Sequence, residues 1–501
     1  MGEEVSERLQ TWKAYKARFN NQNTKWNLKN ETILYCQNDV KILWEILDNY
    51  SKIIFDNWYV DLMKSPTISS LAFKLFRSNY LHELDKQKIK IPTITGKIYE
   101  DIKKSYTGGA VDVYKPYGEN IKVYDVKSLY PSVMLNNPMP IGDPTYFEGN
   151  IISNKEFWTN NEKPFGFFYV KIQAPKNMKE PILQIKRKIN NLTRTIAPIG
   201  SWKGWYFSEE LYNAEKYDYK FEVLKGYTFK KGYIFKDYVE KLYAIKESHP
   251  KGSPMNLNAK LLLNSLYGRF GMSPYSEEHI ILPSKLSNKF ILDDQFDILD
   301  VIDFKNNKEL ITYKKRHNPN EDNNIEENKY KNVSIVFASA ITAYGRIHMS
   351  QFKNNSELGE LLYSDTDCIA ITGDLDPKYI GKGIGQMELE KSFSKVVYLA
   401  PKVYIGLMQN KKDYSKIEVH AVIKGLNVQK LIKQFNFNDF LLLLNKDQTY
   451  KMEQDKWSRS IANASVTIEP TDYNLIVTEN KREIIYINNT FVDTKPLLIE
   501  E

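Results

Sequence analysis

Cysteine is nearly absent: Cys36 and Cys368 are the two in 501 residues. One such pair cannot build a disulfide framework, and neither has a second cysteine nearby with which to form a CxxC zinc site. A reducing compartment or a mitochondrial matrix fits. Long apolar runs are missing too. The longest, such as Phe440 to Leu444, fall far short of the ~20 residues that cross a bilayer, so no membrane partner is expected. The opening MGEEVSERLQ is acidic where a secretory or transit signal would be basic and apolar, and no cleaved targeting signal is expected. Internal repeats of roughly 20 to 50 residues and coiled-coil heptads are lacking as well, which excludes solenoids and rods.

What is present is a chain with 42% hydrophobic residues, enough for a large core divided among several subdomains. Lysine and arginine outnumber aspartate and glutamate by 70 to 62, a net charge of +8. That balance suits a polyanionic partner without demanding one.

Along the chain, NDVKILWEILDNYSKIIF places Val40, Leu43, Leu47, Tyr50 and Ile54 at helical spacing, predicting an amphipathic helix capped by Asn38. IKVYDVKSLYPSVML predicts a strand running into a short helix, with Asp125 at the strand's end. Residues 137–232 carry mixed strand and turn signals and read as an inserted subdomain. FKDYVEKLYAIKESHPKGSPMNLNAKLLLNSLYGRFGM predicts a helical hairpin broken at HPKGSP. Short strands follow, up to the charged loop KKRHNPNEDNNIEENKYKN, then the apolar helix SIVFASAITAYGRIHMSQF. The final region, from about Leu426, ends in alternating strands such as REIIYINNTFV, where NN predicts a hairpin turn.

LLYSDTDCIAITG sets Asp365 and Asp367 two residues apart between apolar flanks. At that spacing on a strand both carboxylates face one side, where they repel and a dry setting raises their pKa. Something must offset this. A lone D-x-D is more often a tight turn using aspartate for backbone hydrogen bonds. On the helix after HPKGSP, Lys260, Asn264 and Tyr267 are spaced by four and three and share a face, with Gly268 leaving room for a flat group. Lysine can neutralise phosphate and tyrosine can stack on a base, although alone the stripe reads as an ordinary solvated face. With Asp125 added, these are parts for phosphoryl transfer assisted by two metal ions.

DVKSLYPS (Asp125 to Ser132), KLLLNSLYG (Lys260 to Gly268) and YSDTDC (Tyr363 to Cys368) resemble, in the same order, the three polymerase motifs of family B DNA polymerases. YTGG (Tyr106 to Gly109) and KVY (Lys402 to Tyr404) resemble that family's Y-x-G-G and K-x-Y motifs. The room between the first and second motifs, and between the second and third, resembles the protein-primed branch with its two terminal-region insertions. SPTISSLAFKLFRSNY and the closing TKPLLIEE look like the polymerases of mitochondrial linear plasmids.

The resemblance implies an α+β right-hand fold: a palm with an antiparallel sheet, helical fingers, a small thumb, two insertions and a remnant of a 3′-5′ exonuclease domain. It implies the exonuclease remnant at 1–60, palm at 61–136 and 333–425, insertions at 137–233 and 273–332, fingers at 234–272 and thumb at 426–501. Asp125 and Asp367 would be metal ligands with the Val126 carbonyl, and Asp365 a supporting catalytic residue. The ions would be two Mg²⁺, replaceable by Mn²⁺. Ser128, Leu129, Tyr130, Lys246, Lys260, Asn264 and Tyr267 would bind the incoming nucleotide, Tyr130 excluding ribonucleotides. Tyr106, Gly108, Gly109, Gly268, Tyr363, Lys402 and Tyr404 would contact primer or template. Implied partners are a DNA primer-template, dNTPs and a terminal priming protein, for a monomeric enzyme of a mitochondrial plasmid or a virus.

Two departures stand out. Cys368 replaces the serine that usually ends the third motif, so tuned activity is expected. YCQND resembles the last exonuclease motif, at Tyr35 and Asp39, yet Asp39 is the first aspartate in the chain. The upstream carboxylates of a two-metal nuclease are missing, so no 3′-5′ exonuclease is expected. Two other functions remain open from sequence: an impaired remnant that binds DNA or a terminal protein, and a metal-dependent nuclease or phosphatase.

Overall fold

Alternating β-branched and aromatic residues build the sheets and one long apolar helix is buried nearly all round, within a computed structural model that describes residues 27–86, 88–158, 161–189, 191–273, 277–316, 333–410, 416–463, 465–478 and 481–500. The chain divides into two units, Met1–Asn79 and Tyr80–Glu501.

In the first unit the helix Leu28–Trp58 is capped by Asn27, whose side chain accepts from the Asn30 N–H at 3.2 Å. Asn38, the predicted cap, is therefore an interior residue. Of the predicted apolar face, Ile54 is buried while Val40, Leu43 and Leu47 are exposed. Length is the reason. At ~1.5 Å per residue this helix outruns its neighbour Ile68–Asn79, whose Asn79 amide donates to the Trp58 carbonyl at the helix's far end.

The second unit is built on a seven-stranded antiparallel sheet: β1 (Val111–Val113), β2 (Tyr117–Val126), β3 (Leu361–Asp365), β4 (Cys368–Ile371), β5 (Met387–Ala400), β6 (Val403–Gln409) and β7 (Ile417–Ile423), in the order β1-β3-β4-β2-β5-β6-β7. Its buried side carries Ile121, Val123, Leu362, Tyr363, Phe393, Val396 and Ile405. As predicted, β2 runs into a short helix, Leu129–Asn136, through Ser128 in the left-handed region (φ 56°). The predicted helical hairpin is Lys236–Ser248 and Pro254–Phe270. Ser253 caps the second helix, Pro254 opens it, and the Tyr238 hydroxyl donates to the Leu262 carbonyl to pin the pair. The apolar helix Ile335–Lys353 is buried nearly all round, the mark of a helix through a core.

Residues 137–233 contribute four strands of a second sheet: Met139–Glu148, Gly166–Gln173, Ile199–Phe207 and Lys220–Gly232. Its fifth strand is Leu498–Glu500, pairing parallel with Ile199–Phe207. Sequence pattern gave no sign of this, because a three-residue strand has no period to read. Gly200 permits it: its φ is +98° and a Cβ there would lie 2.0 Å from the Ile499 carbonyl oxygen. Strands Glu278–Pro283, Phe296–Asp303 and Lys308–Lys315 form a third sheet, and Ser284–Ile291 between them is a helix where short strands were expected. Eight residues are too few for periodicity to separate helix from strand. The predicted loop tip lies mostly in 317–332, outside the described residues. The NN hairpin is present: Asn488 and Asn489 have φ of 49° and 63° between Arg482–Ile487 and Thr490–Pro496, as a type I′ turn requires.

Candidate active site

Asp365 ends β3, and a two-residue turn, Thr366-Asp367, leads into β4. Thr366 has φ of 60°, and the Asp367 N–H donates to the Asp365 carbonyl at 2.7 Å. The two aspartates therefore do not share one strand face. The turn reading explains their spacing, and the turn then sends them to different partners.

Asp365 is held by cation and hydroxyls: Lys402 Nζ lies 2.6 Å away, and the hydroxyls of Tyr363 and Thr366 lie at 3.2 and 3.3 Å. Asp367 turns toward β2, and the Val126 N–H donates to its carbonyl at 2.8 Å. Register places Asp365, Cys368, Asp125 and Glu388 opposite one another on adjacent strands, so their side chains share a face.

Burial, then the charge of Asp367, pushes the Asp125 carboxyl up to about 7. Burial also raises Asp367. Unlike Asp365, neither has a side-chain cation within ion-pair distance among the described residues; Lys391 and Lys260 relieve Asp125 at longer range. No group of three or more His, Cys, Asp or Glu among the described residues forms a ready cage for a metal. Two crowded carboxylates short of positive charge do fit hard divalent cations completed by substrate oxygens and water. The Cys368 thiol, opposite Asp125 and Asp365 in register, is pushed up to about 12 by burial, so it stays neutral.

On the second helix of the hairpin, Lys260, Asn264 and Gly268 are exposed and Tyr267 is half-buried. The ring of Tyr267 lies 4.2 Å from that of Tyr130, tilted by 36°. A Cβ on Gly345 would sit 3.2 Å from Tyr130 Cε1, so the ring is also backed by the helix Ile335–Lys353. Leu129 is buried beneath this turn. Lys246 is engaged locally, 3.4 Å from Glu247 and over the Tyr243 ring at 4.7 Å. Tyr106 reaches the helix end, its hydroxyl 2.8 Å from where a Cβ of Gly271 would be. Tyr363 is buried and stacked on Tyr398 at 4.7 Å; it accepts from the Lys402 N–H and serves Asp365 rather than offering a free ring. Tyr404 packs 5.7 Å from it.

The family profile described as DNA polymerase type B, organellar and viral, matches residues 3–358. The chain belongs to that family. A probable DNA polymerase of Neurospora intermedia is 37% identical over 467 residues, spanning 92% of this chain and 45% of the relative. One of Ascobolus immersus is 34% identical over 508 residues, with 98% and 38% covered. The chain thus spans less than half the length of these curated relatives. Among solved structures, Phi29 DNA polymerase complexed with primer-template DNA superimposes with a TM-score of 0.65 at 22% identity, over 91% of this chain and 74% of that one. The right-hand polymerase fold expected from the motifs is the fold present.

Within this type B polymerase chain, Tyr35 and Asp39 lie exposed on the helix Leu28–Trp58 of the first unit. A residue that motif reading missed is Glu390. It sits in a bulge of β5, between the register positions of Leu389 and Lys391, and its charge helps raise both Asp125 and Asp367. A one-residue bulge leaves no trace in sequence periodicity.

The glycines of YTGG differ in consequence. A Cβ on Gly109 would fall 2.6 Å from Thr366 Cγ2 and 2.9 Å from Thr366 Cα, whereas one on Gly108 meets nothing within 4 Å. Gly109→Ala must displace the turn that carries Asp365 and Asp367. We expect it to cost ~1–3 kcal/mol in thermal or denaturant unfolding and to cut single-nucleotide incorporation at least ~10-fold, with Gly108→Ala leaving unfolding within ~0.5 kcal/mol of wild type.

Proposed function

We propose that this chain adds deoxynucleotides to a primer 3′-hydroxyl on a DNA template. The observation that carries this reading is the meeting of Asp125 and Asp367, from segments about 240 residues apart, as a carboxylate pair with no close cation among the described residues. The primer 3′-oxygen bonds to the α-phosphorus of the dNTP as the bond to pyrophosphate breaks. Asp125 and Asp367, with the Val126 carbonyl, would hold divalent cations, and bound Mg²⁺ or Mn²⁺ supplies activation of the hydroxyl and neutralisation of the phosphates. Lys402, 2.6 Å from the Asp365 carboxylate, fixes that side chain beside the pair. Lys260 and Asn264 receive the triphosphate and base on an exposed helix face, and Tyr130 and Tyr267 close around the sugar.

In this reading the seven-stranded sheet is the palm, the helical hairpin at 234–272 the fingers, and the hairpins after 426 the thumb. The segments 137–233 and 273–332 are the two terminal-region insertions, and residues 1–60 belong to the exonuclease region. Protein priming by a terminal protein, in a linear plasmid of a fungal mitochondrion, accords with the organellar and viral family and the fungal relatives. The test is a labelled primer on a template with purified protein, Mg²⁺ and dNTPs, resolved on a sequencing gel. Template-directed elongation supports the proposal; binding without elongation by a folded protein favours a remnant that binds DNA alone.

A further inference from the structure

Among the described residues β1 is the edge strand of the seven-stranded sheet. It pairs on one side with β3, where Val111 lies opposite Asp365 and Val113 opposite Tyr363. An edge strand leaves a row of carbonyls that no neighbouring strand can satisfy. Here side chains from a segment almost 370 residues further along the chain take that place. Lys481 Nζ donates to the Val111 carbonyl at 2.9 Å, and the Thr494 hydroxyl donates to the Tyr114 carbonyl at 2.8 Å with that of Val113 at 3.2 Å.

Thr494 is 4% exposed and is itself held. Arg482 Nε donates to its Oγ1 at 2.8 Å, Arg482 Nη2 donates to the Lys179 carbonyl at 2.7 Å, and the guanidinium lies over the Tyr114 ring at 4.8 Å. At 6% exposure a guanidinium is costly unless its donors are met. One planar fork therefore joins the hairpin of Arg482–Ile487 and Thr490–Pro496 to the residue after β1 and to the insertion. The joint continues past the hairpin. Asp493 pairs with Lys179 at 3.3 Å, the Ile199 N–H donates to the Leu497 carbonyl at 3.0 Å, and Ile499 is buried in the core of the insertion sheet. None of the five polymerase motifs contains any of these residues.

We infer that Lys481, Arg482 and Thr494 are positioning residues, which hold β1 against β3 and so keep Asp365 beside Lys402 and the Asp125–Asp367 pair. The effect on catalysis rests on the polymerase reading; the effect on β1 does not. The carbonyls that are capped belong to no residue expected to bind DNA or nucleotide, so loss of the caps acts on the rate of incorporation and not on affinity for primer-template or dNTP.

The test compares wild type with Thr494→Val, which keeps the shape and removes the hydroxyl, and with Thr494→Ser, which restores it. Lys481→Met and Lys481→Arg make the same comparison at a half-buried side chain, where folding is not at stake. Hydrogen exchange of peptides covering residues 109–116 and 361–368 is read in metal-free protein, primer-template Kd by fluorescence anisotropy, and maximal rate and dNTP Kd by single-turnover incorporation. Thr494→Val should exchange ~10-fold faster in both peptides and lose ~10-fold in maximal rate, with both Kd values within ~2-fold of wild type. Thr494→Ser should return every quantity to within ~2-fold of wild type, and Lys481→Met should repeat the pattern of Thr494→Val at smaller amplitude, with Lys481→Arg rescuing it. Wild-type exchange and rate in folded Thr494→Val and Lys481→Met overturn the inference. Equal losses in the valine and serine variants, or DNA and dNTP affinities that fall together with the rate, also overturn it, since they mark general destabilisation. If wild type extends no primer, the polymerase reading fails separately, and exchange in the two peptides still decides whether these side chains hold β1 on β3.

Discussion

On the polymerase reading, Asp125→Asn should abolish incorporation and stabilise the metal-free protein. The first half follows from the site: loss of one carboxylate of the pair removes several kcal/mol of transition-state charge stabilisation, ~10³-fold or more in rate. The second half follows from the cost of the pair itself. Burial and the Asp367 charge push the Asp125 carboxyl up to about 7, whereas in an unfolded chain it titrates near ~3.9. Between those values the folded protein keeps a proton that the unfolded chain has lost, so stability falls as pH rises through that window and stays reduced above it. An asparagine does not titrate. At pH 8 with EDTA the variant should exceed wild type by on the order of 1 kcal/mol, discounted for partial solvent exposure, and the gap should close at pH 4. Adding Mg²⁺ should raise the melting temperature of wild type more than that of the variant. Thermal unfolding at the two pH values, with and without metal, checks this; a variant less stable than wild type at pH 8 would show that the carboxylates are not strained.

Tyr130→Val should lower discrimination against ribonucleotides by ~10²-fold. The ring is held on two sides, by Tyr267 at a centroid distance of 4.2 Å and by the Gly345 backbone that a Cβ would bring to 3.2 Å. A ring so confined cannot swing aside for a 2′-hydroxyl, and rejection by a rigid wall is how a site excludes a substrate larger by one atom. Valine leaves that space empty. The same change removes the Tyr267 stacking partner, so KM for dNTPs should rise several-fold. Tyr130→Phe keeps the wall and should keep discrimination. The ratio of kcat/KM for dNTP and rNTP measures both, and an unchanged ratio in Tyr130→Val would remove Tyr130 from the sugar site.

The sequence made Asp125, Asp365, Asp367, Lys260 and Tyr130 legible because motif chemistry is local: each lies in a run of six to nine residues whose types are constrained together. The helical hairpin and the NN turn were legible for the same reason, since a cap, a proline at the first helical position and two residues tolerant of positive φ are local signals. What sequence did not reveal depends on distant partners. Arg346 read as one polar residue of an apolar helix until Glu210 and two carbonyls surrounded it. Strand Leu498–Glu500 gains its identity from Ile199–Phe207. The helix face of Val40, Leu43 and Leu47 had the right period, yet period reports amphipathicity and not what covers it.

The order of strands has a consequence for synthesis of the chain. β4 separates β2 from β3 in the sheet although about 240 residues are made between β2 and β4. At ~5–20 residues per second on a ribosome, that interval lasts roughly 10–50 s. During it β2 has neither β4 nor β5 beside it, and Asp125 waits in solvent, unopposed by Asp367. The repulsion that marks the finished site is therefore met late, after the insertion sheet and helical hairpin have been translated and can hold the closing strands against it.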